Sequence, residues 1–172
     1  MIVIVTKKFL AAAALCMMSA ASFAESKVAV LNPTGAVMAT AAAKAKFDKM
    51  EKSADFAATK AKLDGIVADV KALQASYQKD GLTWPAEKKA ENEKRLQSLN
   101  QDYQFSAKKL QTAQQELAQQ IMQEMATKVE AAVKQVIDSE KLGLVLNSQA
   151  ALHAAPEYDI TAKVTELLNK AK

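Results

Sequence analysis

The segment of residues 85–142 constrains what this chain can fold into more than any other feature. After Pro85 it contains neither glycine nor proline, and most of its residues are strong helix formers such as Ala, Glu, Lys, Gln and Leu. A continuous helix of about 55 residues would be ~80 Å long, whereas a compact domain of this size has a radius of gyration of roughly 15 Å. The helix is therefore expected to project, and the rest of the chain has to pair with it, anchor it or end it.

Apolar side chains recur along this segment at the 3–4 spacing of heptads, which predicts a packing seam along one side of the helix. After Leu117 the apolar stripe moves to a different side, a shift typical of a stutter in the heptad pattern. The first part of the stripe comprises Leu96, Leu99, Tyr103, Leu110, Ala113 and Leu117, with Ser106 as a weak member, and the second comprises Ile121, Met122, Met125, Val129, Val133 and Val136.

A second stripe at heptad spacing precedes the first and predicts the partner helix. It follows Phe56 and comprises Leu63, Ile66, Val70, Leu73 and Tyr77. Asp80-Gly81 is expected to end this helix, with Gly81 in the left-handed conformation, and Pro85 to begin the return helix. Two stripes joined by about five residues predict an antiparallel helical hairpin with its tip near residues 80–86. Gly65 lies off the seam and is a candidate point of bending.

Both ends of the chain carry short apolar runs that predict strands. Residues 27–31 predict a buried strand, after which Asn32 can cap a helix that has Pro33 at its first position and continues, with or without a break, through Met50. At the other end, residues 144–146 predict a second strand and residues 150–154 a third. Asp159 is expected to cap a final helix whose apolar face is Ile160, Val164, Leu167 and Leu168.

These elements predict an α+β fold: a small β-containing head (residues 25–50 and 140–172) from which a long helical hairpin (residues 51–139) projects as one domain of residues 25–172. The head has few apolar residues, so oligomerisation is expected to complete its core. The residues assigned to the oligomer contact are Val28, Val30, Leu144, Val145 and Leu146.

Residues 1–24 have the features of a cleaved signal peptide. A positively charged start precedes the apolar run 9–18, which is shorter than the ~20 residues needed to span a bilayer. Small residues up to Ala24 predict a mature chain that begins at Glu25. The only cysteine, Cys16, lies inside this segment, and Leu15 stands where a lipoprotein signal needs a small residue. The mature protein is thus expected in an exported compartment without thiol chemistry.

The sequence offers little for catalysis, so we expect neither an enzyme nor a cofactor. His153 is the single histidine and, in a predicted strand, is interpreted as structural. No glycine-rich phosphate loop follows the first strand, and no cluster of ligands suggests a metal. The whole chain has 23 Lys and Arg against 19 Asp and Glu, two of the basic residues being in the signal peptide. This mild excess argues against a nucleic-acid partner.

Two interpretations remain open for the predicted tip. Leu82 and Trp84 form either an exposed apolar contact site or, in the case of Trp84, a local cap that packs on Leu82 or Tyr77. The basic residues nearby form either a solvated helix surface or a site of electrostatic capture for acidic partners and anionic lipid. These basic residues are Lys71, Lys79, Lys88, Lys89, Lys94 and Arg95.

The order of these elements resembles the Skp/OmpH family of periplasmic chaperones. The resemblance covers the whole mature chain and is carried by the signal peptide, the strand Lys27-Val28-Ala29-Val30-Leu31-Asn32, the long hairpin, Leu142-Gly143-Leu144-Val145-Leu146, and Asp159-Ile160-Thr161-Ala162 before the last helix. It implies a homotrimer joined through its strands, with three arms around a cavity that holds unfolded outer-membrane proteins without ATP. It also implies a periplasmic location and contact with lipopolysaccharide or phospholipid. Trp84-Pro85 departs from the family's expected Ser or Thr cap.

A structural role competes with the chaperone role. The hairpin could serve as a spacer or adaptor in the cell envelope, without binding unfolded proteins. Met122 and Met125 favour adaptable apolar contacts, although methionines at this spacing more often belong to a core. Suppression of the aggregation of a denatured β-barrel protein distinguishes the two roles.

Overall fold

The computed structural model describes residues 27–171. The predicted signal peptide (1–24) and the predicted first mature residue, Glu25, lie outside this range. The described elements are, in chain order, β1 (Lys27–Leu31), α1 (Pro33–Met38), α2 (Ala41–Glu51), α3 (Ala54–Asp80), α4 (Ala86–Glu140), β2 (Leu142–Asn147) and α5 (Thr161–Lys170). The predicted α+β class is confirmed: the fold is mostly helical, with one small sheet.

The predicted antiparallel hairpin is formed by α3 and α4. Helix α4 has 55 residues and α3 has 27. Three ion pairs between them show the register: Lys109 Nζ lies 2.7 Å from Asp55, Lys62 Nζ lies 3.0 Å from Asp102, and Arg95 lies 4.0 Å from Asp69. We call this hairpin the arm.

The shift of the apolar stripe on α4 coincides with a change of packing partner. Up to Leu110 the stripe follows α3, whereas Leu117 packs against the core, and Ile121, Ala132 and Val136 are buried in it with α1 and α5. The stutter therefore rotates the apolar side of one continuous helix from the arm seam toward the core.

The helical stretch between β1 and the arm has two breaks, and a side chain caps each new start. Asn32 Oδ1 accepts a hydrogen bond from Gly35 N at 2.8 Å, as predicted for α1. Thr40 Oγ1 accepts from Ala43 N to begin α2, and Ser53 Oγ accepts from Phe56 N to begin α3. The first break, at residues 39–40, is the one that the sequence left open, whereas the second, at residues 52–53, lies beyond the predicted helix.

The prediction of a left-handed Gly81 is wrong. Gly81 has φ −60° and ψ −28°, and it begins a 3₁₀ turn, Gly81–Thr83. Its lack of a side chain is needed for another reason: a Cβ there would lie 2.7 Å from Cδ2 of Tyr77. The left-handed residue in the described range is Lys141 (φ 56°), which ends α4.

The sheet pairs the two ends of the chain. β1 and β2 are parallel, with Val28 opposite Leu144 and Val30 opposite Leu146. The other edge of β1 meets Asp159 in an isolated bridge. The alternate residues Ala29 and Leu31 of β1 face the core.

The predicted third strand at residues 150–154 is wrong. Asn147 Oδ1 accepts from Gln149 N at 3.0 Å and turns the chain away from the sheet into a 3₁₀ turn, Ser148–Ala150. Leu152 and His153 are exposed outside any strand. This alanine-rich run has little side-chain area with which to hold a pleated, half-buried position.

The core lies where α1, α4, α5 and β1 meet. Its buried members include Val37, Ile121, Ile160, Val164 and Leu168. The predicted cap of the last helix is one residue out of place: Ile160 is the N-cap and makes no side-chain hydrogen bond, while Asp159, just before it, accepts a hydrogen bond from Thr161 N through Oδ1 at 2.8 Å. We call this region, with the sheet, the head.

Candidate functional site

Trp84 closes the end of the arm from inside. Only 7% of its surface is exposed. Its ring meets Tyr77 edge to face at 5.7 Å between centroids, and Lys88 Nζ lies 4.5 Å from the ring centroid. The interpretation of Trp84 as an exposed apolar group is therefore wrong, and its packing on Tyr77 is confirmed.

Leu82 is the apolar side chain that the tip presents to solvent. It is 95% exposed on the 3₁₀ turn. Tyr77 is also more than half exposed, although its ring packs on Trp84. An exposed leucine at the far end of the arm, next to a packed aromatic pair, is a rigidly placed apolar contact point.

The structure does not gather the predicted basic residues into one patch. Lys88 lies over Trp84, and Arg95 faces Asp69 across the arm. Lys71, Lys79 and Lys94 are exposed and Lys89 is half-buried, while acidic residues alternate with the lysines on the first turns of α4 (Glu87, Glu91 and Glu93). The local field at the tip is consequently weaker than a count of its lysines indicates.

The two flanks of the arm differ in charge. On α3 the ion-paired residues Asp55, Lys62 and Asp69 each come one position before a seam residue, so they share one flank, which we call the charged flank. On the opposite flank, Gln74 comes one position after the seam residue Leu73, and Lys60 comes one position after Thr59, which lies seven residues before the seam residue Ile66. This second flank, which we call the cleft flank, carries two openings into the seam.

The outer cleft lies near the tip and has a volume of about 470 Å³. Leu73, Tyr77, Trp84 and Leu96 supply its apolar wall. Gln74, Gln78, Lys89, Asn92 and Glu93 form its rim. A cleft of this size with an aromatic and aliphatic wall can take one or two large apolar side chains.

The inner cleft lies near the base of the arm and has a volume of about 540 Å³. It opens beside Phe56, Leu63 and Leu110, and Lys60 and Gln114 are among its rim residues. Phe56 is buried at the start of α3 and forms part of the cleft wall together with Ala107 and Leu110 of α4. Both clefts thus expose seam side chains on the same side of the arm. The heptad pattern located this seam, but no sequence pattern showed where it opens.

Polar contacts tie helix α2 to α4 near the base of the arm. Lys46 Nζ donates to Glu124, which also accepts a hydrogen bond from Gln120 Nε2. These two hydrogen bonds, led by the one from Lys46, hold the pKa of Glu124 below its ordinary value. A second ion pair, Lys163 with Glu140, links α5 to the end of α4.

The head presents an uncovered apolar face. Val28, Leu144 and Leu146 share one side of the sheet and are 41%, 49% and 38% exposed. The other two residues assigned to the oligomer contact differ: Val30 is buried beside Asp159, and Val145 packs on the core. The structure therefore divides the predicted set into three residues available to a partner and two that hold the chain's own fold.

Within residues 27–171, no group of His, Cys, Asp and Glu is placed to hold a metal ion. None of the helices in this range combines the length and hydropathy needed to cross a membrane. The arrangement offers apolar surfaces and charge rather than a set of reactive groups.

Comparison with known proteins gives three findings. The family model for outer membrane proteins of the OmpH-like type matches residues 27–168. A Skp-like protein of Pseudomonas aeruginosa is 28% identical over 165 residues, which cover 96% of this chain and 97% of that protein. A crystal structure of a candidate OmpH-like outer membrane chaperone from Caulobacter crescentus aligns over 84% of this chain and 85% of its own, with 18% identity and a TM-score of 0.47.

Proposed function

The chain belongs to the OmpH-like family of outer membrane proteins, and on that basis we propose that it is a chaperone. In this proposal it works in the periplasm as a holdase that keeps unfolded outer-membrane proteins soluble without ATP and without any catalytic step. The observation that carries the proposal is the arm: a long hairpin that exposes apolar side chains at its tip, far from the head, and in two clefts along one flank.

We place client contact on the cleft flank and at the tip. An unfolded outer-membrane protein presents apolar side chains at intervals along a flexible chain. The two clefts and Leu82 offer such side chains separate apolar contacts, and Phe105, 68% exposed between Asp102 and Lys109, is a further exposed apolar group on the charged flank. Several weak contacts along one arm would give avidity without requiring a specific sequence.

We also propose that the protein is a homotrimer joined at the head. A two-stranded sheet has low stability by itself, and in a monomer its apolar residues Val28, Leu144 and Leu146 would remain in contact with water. Covering this face with the same face of other copies would bury it. The division into a head (25–50 and 140–172) and an arm (51–139) remains a prediction.

The basic residues Lys79, Lys88, Lys89, Lys94 and Arg95 are proposed to act in the approach of clients or of anionic lipid and lipopolysaccharide. Because acidic residues lie among them, these basic residues should raise the association rate of the client more than its affinity. This effect should fade as salt shortens the Debye length to ~3 Å at 1 M. Trp84 would take part through the wall of the outer cleft.

The test is suppression of aggregation of a urea-denatured β-barrel outer-membrane protein after dilution, at rising concentrations of the chaperone. Leu82→Ser should weaken suppression several-fold, and Leu152→Ser is the matched control, since Leu152 is a fully exposed leucine outside the arm. No suppression by an intact oligomer would favour the spacer role instead. A requirement for ATP would contradict the proposal.

The choice of flank has its own test. Gln74→Glu puts a charge at the rim of the outer cleft, while Ser76→Glu puts the same charge two residues away, on the side of the charged flank. We expect Gln74→Glu to reduce client affinity more than Ser76→Glu. Equal effects would show that clients do not distinguish the flanks.

A further inference from the structure

The three ion pairs across the arm form a regular ladder. On α3 the members are seven residues apart, at Asp55, Lys62 and Asp69, and on α4 their partners fall by seven, at Lys109, Asp102 and Arg95. The sign alternates along each helix: acid, base, acid on α3 and base, acid, base on α4. We call each ion pair a rung. Successive rungs lie one heptad apart, as the seam residues do, and the acidic and basic members exchange helices from one rung to the next.

These pairs are poorly placed to stabilise the fold. The six side chains are between 45% and 77% exposed. Exposed ion pairs contribute little to the free energy of unfolding, because water screens them and holding two long side chains costs entropy. Their regular arrangement needs a different explanation.

The aliphatic part of the seam does not define one register. The seam is built largely from repeated aliphatic residues, among them Leu63, Val70 and Leu73 on α3 and Leu96 and Leu99 on α4. Sliding α3 along α4 by one heptad again places aliphatic side chains opposite each other. Slips by one, two, five or six residues rotate the apolar stripe out of the seam. Among the slips that keep it there, a slip by a whole heptad is the one that again sets the flanking residues of the two helices opposite each other.

We propose that the alternating ladder locks the arm in register by penalising a slip by one heptad. A slip in one direction places Asp55 against Glu116, Lys62 against Lys109 and Asp69 against Asp102, three like-charge pairs. A slip in the other direction places Asp55 against Asp102 and Lys62 against Arg95, two like-charge pairs, and Asp69 against Lys88, one opposite-charge pair. Opposed like charges at flanking positions disfavour a pairing.

The register matters because it sets what lies at the tip. In the observed register Trp84 packs on Tyr77 and forms part of the wall of the outer cleft. A slip by seven residues would move the turn by three to four residues and separate this pair. By fixing the register, the ladder therefore keeps Trp84 on Tyr77 and keeps the residues that line each cleft opposite each other.

The test compares two variants of equal net charge. The uniform ladder, Lys62→Asp with Asp102→Lys, keeps three opposite-charge rungs but makes α3 all acidic and α4 all basic, so that most slipped rungs also pair opposite charges. The inverted ladder reverses all six charges (D55K, K62D, D69K, R95D, D102K, K109D) and keeps the alternation. Only the uniform ladder should lose the preference for the observed register over a slip by one heptad.

Register is read from a distance between two spin labels. Labels are placed on cysteines that replace Ala72 and Gln104, both exposed, in a chain that begins at Glu25 and so lacks Cys16. Labelled chain is diluted with unlabelled chain so that one arm is measured at a time. Because these positions are offset along the arm, a slip by one heptad changes their separation by ~10 Å.

We expect one distance for the parent and the inverted ladder, and a second population displaced by ~10 Å for the uniform ladder. A single unchanged distance in the uniform ladder would overturn the proposal. Circular dichroism covers the remaining case: if the uniform ladder loses helix content and the inverted ladder does not, the alternation of sign contributes to stability rather than to register, and the proposal is equally refuted.

Discussion

Gly65 and Gly81 lie in the same arm but in opposite surroundings. Gly65 is exposed in the middle of α3, and a Cβ there would meet no atom within 4 Å, whereas at Gly81 it would lie 2.7 Å from the ring of Tyr77. Gly65→Ala should therefore raise the free energy of unfolding by up to about 1 kcal/mol. Gly81→Ala should lower it by about 1–3 kcal/mol through overpacking.

Urea unfolding followed by circular dichroism measures both glycine variants against the parent. Tyr77→Ala provides the control, because Gly81→Ala should cost little once the ring is absent. A loss of equal size in both backgrounds would show that the Tyr77 ring is not the reason for Gly81.

Trp84 stabilises the last turns of α3 and the first turns of α4. Removing its buried ring in Trp84→Ala should cost about 3 kcal/mol, felt mainly at the tip, because a cavity opens there and Tyr77 and Lys88 lose their contact. Amide exchange should speed up in the last turns of α3 and the first turns of α4. Leu82→Ala, next to it but exposed, should leave exchange unchanged; rapid exchange in both variants would instead indicate a tip that is already frayed.

At the level of elements, α4 ends at a residue in the left-handed backbone conformation, which is unfavourable for lysine and favourable for glycine. Lys141 has φ 56° and ψ 49°, a conformation that costs a residue with a Cβ roughly 1–2 kcal/mol. Lys141→Gly should therefore stabilise the protein by about 1 kcal/mol. Lys134→Gly is the matched control, since Lys134 is exposed inside α4, and this change should destabilise by about 1 kcal/mol. Thermal unfolding of both variants checks the opposite signs.

Periodicity predicted the elements well where a long pattern repeats. The hairpin, both strands, the Asn32 cap and the last helix all follow from spacing and capping chemistry. The failures come from short segments whose conformation depends on a neighbour. Gly81 responds to the Tyr77 ring rather than to a turn type, and residues 150–154 follow the turn that Asn147 begins.

At the level of the whole molecule, the sequence predicted which residues are apolar but not which surface each would occupy. Trp84 and Leu82 were equivalent members of a predicted tip, yet one is buried and the other exposed. Val145 and Leu144 are neighbours in one strand and face opposite sides of the sheet. Such differences arise from packing between distant segments, which the local pattern does not contain. The two clefts have the same origin, because they depend on how far α3 and α4 stand apart.

The proposed trimer can be tested through this alternation in β2. Leu144→Glu puts a charge on the uncovered face of the sheet, where a lone protomer leaves it in water but an assembled head would bury it. Burying an unpaired charge costs several kcal/mol, so this variant should separate into folded monomers. Val145→Glu puts the same charge against the protomer's own core and should reduce helix content as well as assembly. Light scattering gives the mass and circular dichroism the fold at micromolar concentration. A Leu144→Glu protein that keeps the mass of the parent, or a parent that is already a monomer, would show that this face does not hold the assembly together.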